Sequence, residues 1–85
     1  MSLLEFYGEE CSHCMNMAPL VAQLEKEGFK VEKLETWHHD ANEVKRVKTD
    51  TGMCGGVPFF YNTESKKFIC GEESYEGLKR WAEGK

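Results

Sequence analysis

An α/β fold with its elements in the order β-α-β-α-β-β-α, a four-stranded mixed sheet flanked by helices, is what this sequence predicts. Three observations predict it. A short apolar strand runs into a helix that opens on two cysteines, a second strand and helix follow, and the chain closes with a hairpin and an amphipathic helix. Parallel strands need a crossover and hairpin strands pair antiparallel, so one sheet built from both is mixed.

Leu3–Tyr7 is an apolar and aromatic run ending at Gly8, the pattern of a short central strand. Over residues 12–27, Met17, Ala18, Val21 and Leu24 recur at helical spacing, and Gly28 supplies the stop. Pro19 lies within that helix, where its missing donor and its ring predict a kink. Residues 29–36 read as a second, less regular strand at a sheet edge. Asp40 is placed to cap a helix running to about Asp50, with Glu43 at the capping-box position and Val44 and Val47 as its apolar face. A glycine-rich approach over 52–56 leads to a strand at 57–61 that opens on Pro58. Residues 62–65 turn the chain, and 67–70 return as the hairpin partner. Ser74 caps a last helix that carries Tyr75, Leu78 and Trp81 on one face and ends at Gly84.

The 85 residues make a single domain, 1–85, because a second core would not fit. Apolar content of 40% with 12% aromatics is that of a globule. The formal charge of −4 is modest, and bases alternate with acids. No basic patch marks a nucleic-acid or membrane partner, and a monomer is expected. The start, Met1-Ser2-Leu3-Leu4-Glu5, has no basic region and an interrupted apolar run, so a cytoplasmic location is expected.

Four cysteines in a reducing compartment point to catalysis or metal binding more than to stapling. Cys11 and Cys14 are close, while Cys54 and Cys70 stand apart, which is not the layout of a disulfide-stapled mini-protein. Cys11-Ser12-His13-Cys14 follows a strand and opens a helix. Thiol exchange needs two sulfurs able to bridge, one open to attack and one behind it to resolve the mixed disulfide. A helix N-terminus, with unpaired N–H groups and partial positive charge, favours the thiolate of a sulfur placed there. The competing reading is half a zinc site. Its remaining ligands would come from His38, His39, Cys54 or Cys70, none at paired finger spacing. The strand–CxxC–helix context favours redox chemistry; a metal- or iron–sulfur-binding module is the alternative. Pro58, after Gly56-Val57, stands where a tight turn and a cis bond are wanted, although an edge-strand start has the same look.

Taken together, these residues resemble the thioredoxin superfamily. Leu3-Leu4-Glu5-Phe6-Tyr7 through Cys11-Ser12-His13-Cys14 to Ala18-Pro19 is similar to a protein disulfide isomerase active site, and Gly56-Val57-Pro58 is similar to the family's cis-proline loop. The chain's size and its direct start on the first of these strands resemble a glutaredoxin. The resemblance implies a thioredoxin-like fold and a thiol–disulfide oxidoreductase, with Cys11 as nucleophile and Cys14 as resolving thiol. It also implies that Pro58 shapes a substrate groove with Gly56, Val57 and Gly71. Glu5 occupies the place of the family's buried acid, which assists proton transfer from the resolving cysteine. Implied partners are protein disulfide substrates and an upstream thiol reductant. No cofactor beyond the redox-active disulfide is implied. The glycine pair with which glutaredoxins hold glutathione survives only as Cys70-Gly71, and their Pro-Tyr between the cysteines is absent. Glu10, preceded by Glu9, stands where the family usually carries Trp before the first cysteine.

Strand alternation sets Leu4 and Phe6 opposite Glu5. Trp37-His38-His39 reads as an exposed loop or cap, Met17 as helix packing, and Met15 as packing or contact patch. Cys54 and Cys70 read as structural thiols, with a bond between them or a metal site as alternatives. His13, beside the Cys11 sulfur, is expected to make the disulfide oxidising, with a potential of roughly −180 to −240 mV.

Overall fold

The computed structural model describes residues 2–85; Met1, part of the start read above, lies outside them. Seven elements follow one another: β1 (Leu3–Tyr7), α1 (Ser12–Lys26), β2 (Val31–Glu35), α2 (Asp40–Asp50), β3 (Phe59–Asn62), β4 (Phe68–Cys70) and α3 (Tyr75–Ala82). The sheet order is β2-β1-β3-β4. β1 pairs parallel with β2 and antiparallel with β3, and β4 joins β3 antiparallel. The predicted element order and the mixed sheet are both present. The last three strands are shorter than the apolar runs that announced them, because ladder pairing stops where the partner strand ends.

The faces of the sheet follow the alternation of β1. Leu3 and Phe60 pack with Met17, Val21 and Leu24 of α1 and with Leu78, Trp81 and Ala82 of α3. Trp81 meets Phe60 edge-on, ring centres 5.5 Å apart, the geometry aromatic quadrupoles prefer. On the other face Leu4, Phe6 and Phe59 are closed over by Leu34, Cys54, Val57 and Tyr61. Asn62, fully buried, donates to the Trp81 carbonyl at 3.0 Å and accepts from the Glu64 and Ser65 N–H groups, so it ties the hairpin turn to α3. Ser74 caps α3 as expected, its hydroxyl accepting from the Gly77 N–H at 3.1 Å.

α2 departs most from the sequence reading. Its N-cap is His39, without a side-chain bond, and Asp40 is already helical. Glu43 closes no capping box; it takes two bonds from Arg46, at 2.9 and 2.8 Å. Val44 and Val47 are about half exposed, and the residues α2 buries are Arg46 and Asp50. The reason is a polar anchor. Asp50 accepts from Arg46 at 2.9 Å and from the backbone N–H groups of Cys54 and Gly55 at 2.5 and 2.6 Å. Burial alone would raise its carboxyl, but these donors outweigh burial and hold it below the usual range. The helix is turned by what the following loop needs, and apolar periodicity yields. α1, by contrast, runs unbroken through Pro19. Among the described residues no helix is long and apolar enough to cross a membrane.

Candidate functional site

β1 delivers the chain to the site. After Tyr7 a tight turn, closed by the Cys11 N–H on the Gly8 carbonyl at 3.1 Å, sets Cys11 as the N-cap of α1 in extended conformation. The Cys14 N–H donates to the Cys11 sulfur at 3.2 Å, so a helix-terminal donor that has no intrahelical partner serves a thiol instead. Both thiols are free and buried, 6% exposed for Cys11 and 4% for Cys14. They are not equivalent. Burial and a hydrogen bond to Cys11 push the Cys14 thiol up to about 12, so Cys14 keeps its proton at neutral pH.

Glu5 lies on the α1 side of the sheet, opposite Leu4 and Phe6, and burial pushes its carboxyl up to about 7 against the opposing pull of Lys33. It shares a groove of about 350 Å³ with Cys14, Met15, Val21 and Lys33. Lys33 closes one side of that groove through an ion pair to Glu25 at 2.8 Å. A carboxyl that titrates near neutrality beside a thiol that holds its proton can take that proton when the thiol must react.

The Val57–Pro58 peptide bond is cis. Pro58 is buried one residue ahead of the β3 register in which Phe59 faces Phe6, so it sits at the sheet end where β1 enters the turn before Cys11. Gly71, in a left-handed conformation that suits glycine, donates its N–H to the Pro58 carbonyl at 2.9 Å. Gly56 and Val57 are half-buried just before it.

Cys54 and Cys70 correct an expectation: they are joined in a disulfide, with Cα atoms 5.4 Å apart. Cys70 pairs with Phe59, one residue beyond the level the hairpin predicted, and the Asp50 anchor holds the Cys54 loop against it. The bond takes both sulfurs out of reach as ligands for the Cys11–Cys14 pair.

Two loops make contacts beside the cysteines that the sequence reading did not foresee. From the β4–α3 loop, Glu72 meets His13 Nδ1 at 2.5 Å and accepts from Asn16 at 3.2 Å. From the β2–α2 loop, Trp37 packs so closely on Gly8 that a Cβ there would stand 2.3 Å from its ring. His38 meets Glu10 at 2.7 Å. Beneath that loop lies the buried carboxylate of Glu35, bonded to the Glu9 and His38 N–H groups at 2.9 and 2.8 Å and to His39 Nδ1 at 3.0 Å. Burial would raise Glu35, but these bonds prevail and bring it to about 2. An acid ending a strand otherwise read as a plain edge was the one available signal for Glu35. Glu72, 59 residues from His13, left none.

Met15 is 64% exposed at the start of α1, which places it as surface, whereas Met17 is packed in the core. Among the described residues the one group of three metal-ligating types is Glu9, Glu10 and His38, all exposed, and it does not include the thiols.

No curated protein sequence matches the chain closely. The family model described as Thioredoxin matches residues 1–83, nearly the whole chain. That match, the β-α-β-α-β-β-α fold and the close pair of free cysteines mark a thiol–disulfide oxidoreductase, and the chain belongs to the thioredoxin family.

Proposed function

We propose that this protein exchanges disulfides with protein substrates through the Cys11/Cys14 dithiol. The observation that carries the reading is the asymmetry of the two thiols: Cys14 retains its proton, while Cys11 caps a helix N-terminus and accepts a backbone N–H on its sulfur. Cys11, as thiolate, attacks one sulfur of the substrate disulfide. A mixed disulfide forms and the substrate's other sulfur leaves as a thiolate. Cys14 then gives its proton to Glu5 and attacks the Cys11 sulfur, releasing the second substrate thiol. Two electrons have passed to the substrate, and the protein is left with a Cys11–Cys14 disulfide. An upstream thiol reductant restores the dithiol. The substrate strand lies along Gly56-Val57-Pro58, bonding to the Val57 backbone, with Gly71 at its edge.

Turnover of a disulfide-containing protein substrate, driven in turn by reduced glutathione and by thioredoxin reductase with NADPH, tests this. Exchange with either donor, lost in Cys11→Ser, is expected. Stoichiometric metal on the purified protein with no turnover would replace the reading by the metal-binding one.

A further inference from the structure

We propose that Glu35 is a positioning residue for the exchange reaction, its buried carboxylate fixing the Gly8–Glu10 turn that presents Cys11. The inference rests on Cys11 being the attacking thiol.

The turn has little else to hold it. Its own bond, from the Cys11 N–H to the Gly8 carbonyl, is internal and does not place it on the protein. Thr36 reaches only as far as the Tyr7 carbonyl, before the turn begins. Trp37 covers Gly8, and the Glu10–His38 contact lies at the surface, where solvent competes. Beyond Gly8, the turn is tied to the rest of the protein by the partly buried bond from the Glu9 N–H to Glu35 Oε2.

Geometry explains why a glutamate does this. Glu35 ends β2 in register with Tyr7, so its side chain starts level with the strand residue that enters the turn. One oxygen takes the Glu9 N–H. The other takes the His38 N–H and the His39 ring, and the Glu35 carbonyl accepts from Asn42. A single side chain thus clasps the β1–α1 and β2–α2 loops. A carboxylate at 6% exposure is costly to desolvate unless donors surround it, and here donors from both loops do. The titratable groups around it are His38 and His39 on its own side and Glu9 and Glu10 across the turn. Two residues after Glu9 comes the sulfur that must meet both a substrate disulfide and Cys14. Reacting groups displaced by about an ångström can lose on the order of a hundredfold in rate, so a held turn matters for the chemistry as well as the fold.

The experiment uses Glu35→Gln and Glu35→Asp in the full chain. Gln keeps the shape but presents an NH₂ group to one of the N–H donors; Asp keeps the charge on a shorter stem. Two readouts are taken: alkylation of Cys11 by iodoacetamide from mildly acidic to alkaline pH, and exchange with a disulfide-linked fluorogenic peptide. For Glu35→Gln, the alkylation profile is expected to move up by about one pH unit and exchange to slow roughly tenfold, in protein that unfolds cooperatively. Glu35→Asp is expected to fall between Gln and wild type. A folded Glu35→Gln with the wild-type profile and exchange rate overturns the proposal. Should Gln fail to fold, Asp decides: an alkylation profile moved up from wild type with slower exchange supports positioning, and one identical to wild type overturns it. Wild-type protein that exchanges no disulfide overturns the functional reading, while the Cys11 alkylation profile still reports on Glu35.

Discussion

The backbone N–H of Cys14 points at the Cys11 sulfur across 3.2 Å, so the residue proposed to resolve helps to prepare the one proposed to attack. Charge-assisted bonds of this kind strengthen as the acceptor ionises, which supports the proposed order of action.

That order predicts different outcomes for the two cysteines. Cys11→Ser abolishes exchange, and Cys14→Ser retains attack but accumulates mixed disulfides with substrate. Mass spectrometry of the reduced protein after brief alkylation at neutral pH checks it: Cys11 should carry the label first. Label arriving first on Cys14 reverses the assignment.

His13 stands between the cysteines and is held by Glu72. Replacing it with proline removes the imidazole and this contact together. The potential of the Cys11–Cys14 couple is expected to fall from roughly −180 to −240 mV toward the −270 mV or so of thioredoxin. Equilibration in glutathione buffers, quenched by acid and resolved by mass, measures it. An unmoved potential would show that Glu5 or the acids before Cys11 set the poise.

Glu5 makes stability depend on pH. Its folded carboxyl holds a proton up to about 7, while an unfolded one releases it near 4.5, so the folded state binds more protons between these values. Glu5's contribution to stability is therefore fully present below pH 4.5 and is lost as pH rises through 7, by at most about 3 kcal/mol. Glu5→Gln should flatten that slope, exceed wild type in stability on the alkaline side, and slow the resolving step. Urea unfolding at acidic and alkaline pH decides; a parallel wild-type slope in the variant would count against it.

The Cys54–Cys70 bond closes a loop with a sequence separation of 16. Chain entropy assigns a loop of this size about 3 kcal/mol. The double variant Cys54→Ala/Cys70→Ala should lose close to that amount in denaturant unfolding, without any change in the Cys11 alkylation rate. A variant as stable as wild type would count against the chain-entropy account.

Gly8→Ala tests the Trp37 contact. An added Cβ would sit 2.3 to 2.8 Å from three ring atoms, so the indole must move off the turn. A destabilisation of about 1–3 kcal/mol is expected, with a change in tryptophan emission. Trp37→Ala in the same background should remove most of that penalty, since it removes the clash.

Much of this protein was determined by its sequence alone, because the signals involved are local. Hydrophobic alternation placed β1 and set Glu5 opposite Leu4 and Phe6. Helical spacing placed Met17, Val21 and Leu24 on the buried side of α1, and the strand–CxxC–helix run named Cys11 and Cys14. Residues a few positions apart dictate each of these through backbone period, and the period survives folding. Tertiary structure decided the rest. Val44 and Val47 match helical spacing yet face outward, since the Arg46–Asp50 pair and its bonds to the Cys54 loop fix the rotation of α2. Cys54 and Cys70 meet only because β4 pairs with β3 and brings Cys70 beside Phe59. Glu35 reaches the turn before Cys11 from 26 residues away, and Glu72 reaches His13 on α1 from 59, across a sheet end that exists only after the strands have paired. Side-chain charge carries no period, so where a buried carboxylate finds its donors is settled by packing.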